Sequence, residues 1–272
     1  MSMTITANTG AIQRSLAAST MASDTAMQRL SSGHRINSAK DDAAGLAIST
    51  RMDSRLKGMA VAGRNAADGS SMAQTADASL GQTSEMMTRM RELATQAANG
   101  TNGTSDMANL DKEYQALASE VTRTLTSTDF NGKKILGADA GATNFIVGAD
   151  ATDSITVTTT DMTANANITA VTGGSLTTAA AAATAMTNLS KALDDVNTER
   201  AMYGATSSRF DTITSTLQTQ ADALTTAKGR ITDTDYAAES ANMQKNNVLS
   251  QAATAMLSQA NARPQQVLSL LR

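Results

Sequence analysis

No cysteine occurs in this 272-residue chain, which excludes disulfide frameworks, thiolate nucleophiles and cysteine-ligated metals together. Tryptophan is absent as well, and three Phe with three Tyr bring the aromatic content to only 2%. The large-area anchors of ordinary cores and interfaces are therefore nearly missing, so small side chains must do most of the packing. Pro264 is the single proline and His34 the single histidine. Charged residues make up 17% of the chain, against roughly 25% in typical soluble domains. A net charge of −3 supplies no basic field, so no nucleic acid is expected as a partner. No apolar run approaches the roughly 20 residues a membrane-spanning helix needs, so the chain is read as not membrane-spanning. The opening MSMTITANTGAIQRSLAAST has no basic stretch before Arg14 and no apolar segment, so no cleavable secretory signal is expected. Taken alone, these absences point to a soluble cytoplasmic protein.

What is present is helical periodicity. Ala, Ser and Thr dominate, and 41% hydrophobic content permits a core of closely approaching helices. Leu189, Val196, Tyr203, Phe210, Leu217, Leu224 and Ile231 recur every seven residues without a miss, the spacing of a left-handed coiled coil. Leu193, Ile213 and Ala221 fill part of the second seam position, while Arg200, Ser207 and Thr214 leave it imperfect. Met52, Leu56, Met59, Ala73, Ala76, Leu80, Thr83, Met87, Met90 and Ala94 follow three-four spacing until AANGTNGTS breaks it. Leu110, Tyr114, Leu117, Val121 and Leu125 mark another helix, ending before the turn signal Asn131-Gly132. The middle of the chain is rich in Thr, Ala and Gly, with β-prone runs at 144–147 and 154–159. The expected fold is mainly α: an elongated α-helical coiled-coil rod with a small β-hairpin region in the middle of the chain.

Thinner stripes mark both ends, with Ile12, Leu16, Ala26 and Leu30 near the start and Leu249, Ala253, Met256, Leu257 and Ala260 near the end, before PQQVLSLLR. Small residues bury little area, at about 25 cal/mol per Å² removed from water, so each end is expected to wait for a partner.

Catalytic chemistry finds little to stand on. LSSGHRINSAKDDAAGLAIS gathers Gly33, His34, Arg35, Lys40, Asp41, Asp42 and Gly45 in twenty positions. Imidazole and carboxylate are ordinary metal ligands, but the spacing matches no zinc pattern and one histidine cannot form HExxH. GxxxxGK[ST] and GxSxG are both absent. The stretch reads as a polar, glycine-punctuated joint between helices. Met86, Met87 and Met90 read as core, and DDVNTER as a solvated helix face. No catalytic residue, metal or cofactor is expected.

With these residues in place, the chain closely resembles the bacterial flagellins. LSSGHRINSAKDDAAGLAIS resembles the family's N-terminal signature, and the stretch from Arg230 to Arg272, beginning RITDTDYAAESANMQKNNVLSQAA, its C-terminal one. MTRMRELATQAANGT and FNGKKIL add two further blocks in the family's order. The resemblance implies that residues 1–40 begin, and 236–272 complete, a helical domain lining a filament core. It likewise implies a rod from 41–135, with two long helices, and 187–235, and an outward-facing variable region at 136–186. The glycine-punctuated stretch becomes the spoke between layers. The implied function is the structural subunit of the flagellar filament, a homo-polymer for motility. It would be exported by the flagellar type III pathway with the help of a flagellin chaperone and meet hook-filament junction and cap proteins. Its place is extracellular. Polymerisation is expected to use Ile12, Leu16, Leu30, Leu249, Met256, Leu257, Leu268 and Leu271. The block around Arg89, Leu93 and Glu113 resembles the contact region for a flagellin-sensing toll-like receptor, although Thr88 stands where receptor-activating flagellins carry Gln. Two alternatives use the same helical rod: a surface-exposed adhesin presenting residues 137–186 to a ligand, or a hook-filament junction protein.

Overall fold

The computed structural model describes residues 6–150 and 152–270, with side chains described between positions 10 and 262. In chain order the elements are helices α1 (Thr6–Ser32), α2 (Ala43–Ala97) and α3 (Thr104–Ser127), strands β1 (Ala142–Ile146) and β2 (Ser154–Thr158), then α4 (Ala166–Thr172), α5 (Ala179–Thr232) and α6 (Tyr236–Leu270). The chain is mainly α with one two-stranded antiparallel hairpin, as its periodicities predict. The expected helix at 187–235 starts earlier, because the alanine run from position 179 is already helical. The heptad-poor middle also hides a short helix, α4, capped by Asn165, whose side chain accepts from the Asn167 and Ile168 amides. Helix α6 continues through Pro264.

The chain divides into two compact units, with the divisions falling inside α2 and α5. Unit 1 is Met1–Ser54 with Ala223–Arg272, and unit 2 is Arg55–Asp222.

Unit 2 holds the large core. The seven-residue stripe of α5 supplies Leu189, Val196, Tyr203 and Phe210, facing Ala66, Ala73, Ala76, Leu80, Met87 and Met90 of α2 and Tyr114, Val121 and Leu125 of α3. Two of the three imperfect seam positions have partners on α2: Arg200 Nε donates to Asp77 Oδ1 at 2.9 Å, and the Ser207 and Ser70 hydroxyls lie 3.2 Å apart. The hairpin lays Ile155 and Val157 into this core, in register Asn144 to Thr156 and Phe145 to Ile155. Phe145 meets Phe210 edge to face, with centroids 5.6 Å apart. Room for the Phe210 ring comes from Gly69, where an added Cβ would lie 2.4 Å from the ring tip. Loops are tied down by carboxylates: Asp195 accepts from the Asn165 and Asn167 amides, and Asp111 from the Leu176 backbone at 2.6 Å. The Asn131-Gly132 turn forms as predicted, with both residues at positive φ between Phe130 and Lys133, which bond to each other.

Unit 1 is built around α1 lying along α6. Positions 12, 16, 19, 23, 26 and 30 of α1 are buried or half-buried, an alternation of four and three that makes a heptad seam, with positions 10 and 29 half-buried beside it. The matching positions of α6 are 239, 243, 246, 250, 253, 257 and 260. Ser19, Ser23, Asn246 and Ser250 occupy this seam where a coiled coil would carry larger apolar side chains. It therefore buries little apolar area.

Candidate functional site

The joint comes first, because it sets where α1 and α6 begin and end. Gly33, at φ +73°, ends α1 in the left-handed conformation, and its amide donates to Arg29 O at 2.8 Å. The next residues lie beside the end of α5: Arg35 N donates to Thr232 O, Thr234 N to Gly33 O, and the Arg35 guanidinium to Ile231 O at 2.7 Å. His34 Nδ1 sits 3.3 Å from Asp233 Oδ1, both side chains about half exposed. The Asp41 carboxylate accepts from Ser38 and from the Asn37 and Ser38 amides. Bonding from the Ser38 hydroxyl, then from those amides, holds its carboxyl below the usual carboxylate range. Asp42 caps α2 through the Gly45 amide and Asp235 caps α6 through the Ala237 and Ala238 amides. Each polar residue that suggested a metal site is thus spent on turning the chain. Among the described residues, no group of three or more His, Asp or Glu is placed to hold a metal ion.

The terminal helices show what they leave uncovered. Along the seam, Ser23 Oγ donates to Asn247 Oδ1 at 3.1 Å, and Arg29 pairs with Glu239 at 3.6 Å, its Nε buried without a partner. Off the seam, Met21, Met27, Val248, Leu249 and Met256 are exposed. The expected assembly residues therefore separate into two sets. Ile12, Leu16, Leu30 and Leu257 lie on the face that α1 and α6 turn toward each other, half-buried within the monomer. Leu249 and Met256 lie off that face and are exposed. The sequence stripe that joined Met256 to Leu257 is thus divided between two faces. Leu268 belongs to α6, though its side chain, like all of Leu271, lies outside the described residues. Sequence reasoning overlooked Ser19, Ser23, Asn246 and Ser250, because a search for apolar stripes skips small polar residues that keep heptad spacing.

The Arg89 block is only partly a surface. Arg89 Nε and Nη2 donate to Glu113 Oε1 at 3.1 and 2.9 Å, and Nη1 to Glu92 Oε2 at 2.9 Å, raising the guanidinium pKa further. Leu93, in contrast, is 1% exposed and belongs to the core of unit 2. Helical spacing points Leu93 inward with Met90 and Ala97, while Arg89 and Glu113 stay on the surface of the same block.

No described helix is long and apolar enough to cross a membrane. Comparison with known proteins settles the kinship of the chain. The model of the bacterial flagellin N-terminal helical region matches residues 5–141, and that of the C-terminal helical region matches 186–271. The unmatched interval contains the hairpin, α4 and the start of α5. A flagellin from Halalkalibacterium halodurans is 39% identical over 247 residues, covering 91% of each chain. One from Bacillus subtilis is 37% identical, covering 94% of this chain and 95% of its own. The crystal structure of Bacillus cereus flagellin aligns with a TM-score of 0.52 at 35% identity, covering 57% of this chain and 88% of that one. With both helical regions matched and relatives aligned over more than nine tenths of both chains, this chain belongs to the bacterial flagellin family, the structural subunits of the flagellar filament.

Proposed function

We propose that the chain polymerises through the outward faces of α1 and α6, each copy meeting the next by unlike surfaces in an open helical array. One observation carries this: the terminal helices meet each other through a seam of small and polar residues while turning Met21, Met27, Val248, Leu249 and Met256 to the outside. A pair so weakly held gains its missing apolar burial from neighbouring copies. Leu249 and Met256 act between copies, and Ile12, Leu16, Leu30 and Leu257 act by setting the pair's geometry. Leu268 and Leu271 also act in polymerisation. In this reading residues 1–40 and 236–272 line the filament core, 41–135 and 187–235 form the rod around them, and 136–186 face outward. The subunit leaves the cell through the flagellar type III export pathway with a dedicated chaperone, and its filament runs from the hook-filament junction to the cap. It works outside the cell and catalyses no reaction. Arg89 and Glu113 offer the toll-like receptor a surface block that excludes the Leu93 side chain.

Electron microscopy of seeded full-length protein, beside a chain lacking residues 1–40 and 236–272, tests the reading. Filaments from the full-length chain alone are expected. Filaments from the truncated chain, or none from either where a control flagellin elongates, overturn it.

A further inference from the structure

Sixteen methionines and no cysteine leave the thioether as this chain's only sulfur nucleophile. The fold sorts these thioethers. Met72, Met87, Met90 and Met162 in unit 2 are at most 3% exposed, whereas Met21, Met27 and Met256 in unit 1 are 69%, 57% and 58% exposed. The exposed three lie off the α1–α6 seam, on the surface assigned above to contacts between copies, and the inference rests on that assignment.

We propose that Met21, Met27 and Met256 form a reversible oxidation site at which a peroxide switches the free subunit out of assembly. The sulfur lone pair attacks one oxygen of hydrogen peroxide. The O–O bond breaks as the S–O bond forms, and proton transfer to the departing oxygen releases water. Sulfur loses two electrons and the peroxide gains them. Thiol-dependent methionine sulfoxide reductases reverse the step: two thiols become a disulfide and the sulfoxide oxygen leaves as water. The modified side chain carries a strong acceptor where the thioether was apolar. Enclosing that acceptor between copies without a donor opposes packing. Buried thioethers in unit 2 are spared, so the fold survives while the assembly surface changes. Subunits already in a filament are covered and stay protected, which confines the switch to free chains. No thiol on the chain competes for the oxidant.

The test treats full-length monomer with hydrogen peroxide, maps oxidised peptides by mass spectrometry and follows elongation on seeds. Met21, Met27 and Met256 are expected to oxidise at least about tenfold faster than Met72, Met87, Met90 and Met162, and the critical concentration for elongation to rise about tenfold. Sulfoxide reductase with dithiothreitol should restore elongation. Whatever elongation a chain carrying Met21→Leu, Met27→Leu and Met256→Leu retains should be the same with and without peroxide, whereas Met202→Leu, on α5 in unit 2, should give no protection. Full conversion at all three sites with unchanged elongation overturns the proposal, as does equal loss in the triple variant. If the triple variant does not elongate untreated, rescue of the oxidised wild type by the reductase decides, and no rescue overturns the switch. Untreated wild type that never elongates overturns the filament reading instead, while the mapping still judges the accessibility of the three sulfurs.

Discussion

The two units spend the same residue types differently. Unit 2 concentrates Tyr114, Tyr203, Phe210 and most of the buried Leu and Met in one core, and closes it with a hairpin. Among its described residues unit 1 has almost no large buried side chain, and between α1 and α6 it places Ser19, Ser23, Ala26, Ala253 and Ala260. A chain this poor in aromatics stabilises one body well by collecting its anchors there, and the other is left with a seam of small and polar residues. On the function proposed above, stability within the monomer and capacity to assemble are properties of different segments.

The sharpest way to break that contrast is to empty each unit in turn. Phe210→Ala, at a fully buried ring, should destabilise unit 2 by about 3–5 kcal/mol, read from denaturant unfolding, while Leu16→Ala in the half-open seam should lower monomer stability by about 1 kcal/mol or less yet impair elongation. Equal effects would erase the distinction. Gly69→Ala pushes a Cβ into the same ring and should lower stability by about 1–3 kcal/mol through overpacking, with Phe210→Leu in the same chain recovering part of the loss. Alkaline pH should act on unit 2 first. Burial, then the Asp111 charge, pushes the Tyr114 phenol from 10.0 up to about 12, and burial with the Glu199 charge pushes Tyr203 the same way. As pH rises above about 10 the unfolded chain releases these protons while the folded chain keeps them, so stability falls through the window up to about 12. Tyr114→Phe should flatten that fall in a pH-resolved denaturation series. In unit 1, Asp235→Ala removes the α6 cap and should cost about 1 kcal/mol, visible as faster amide exchange in the first turn of α6. Breaking the exposed pair of Arg123 with Glu120 on α3, by Arg123→Ala, should leave the unfolding midpoint unchanged.

Much of unit 2 was legible beforehand. The seven-residue stripe, the break at AANGTNGTS, the Asn131-Gly132 turn and the two β-prone runs all became elements close to the expected limits. What escaped reading depended on contacts between segments distant in sequence. Helix α4 has too few residues for a period and is held by Tyr114, which donates to Val171 O at 2.9 Å, and by the Asp195 clamp. Gly69, which no periodicity singles out, is the seat of an aromatic ring. In the assembly surface, apolar stripes were visible, but their division into an inward and an outward set was not. Spacing gives the faces of one helix, and only the partner helix decides which face is covered.

The sequence by itself determined that this is a helical, cysteine-free chain with a coiled-coil stripe, polar joints and family-specific ends, because period, capping and turn chemistry are local properties of consecutive residues. Tertiary structure alone decided that Leu93 is core while Arg89 and Glu113 are surface, that serines fill the terminal seam, and that Leu249 and Met256 face away from it. Burial is a property of pairs of surfaces, and no single stretch of sequence contains both members of the pair.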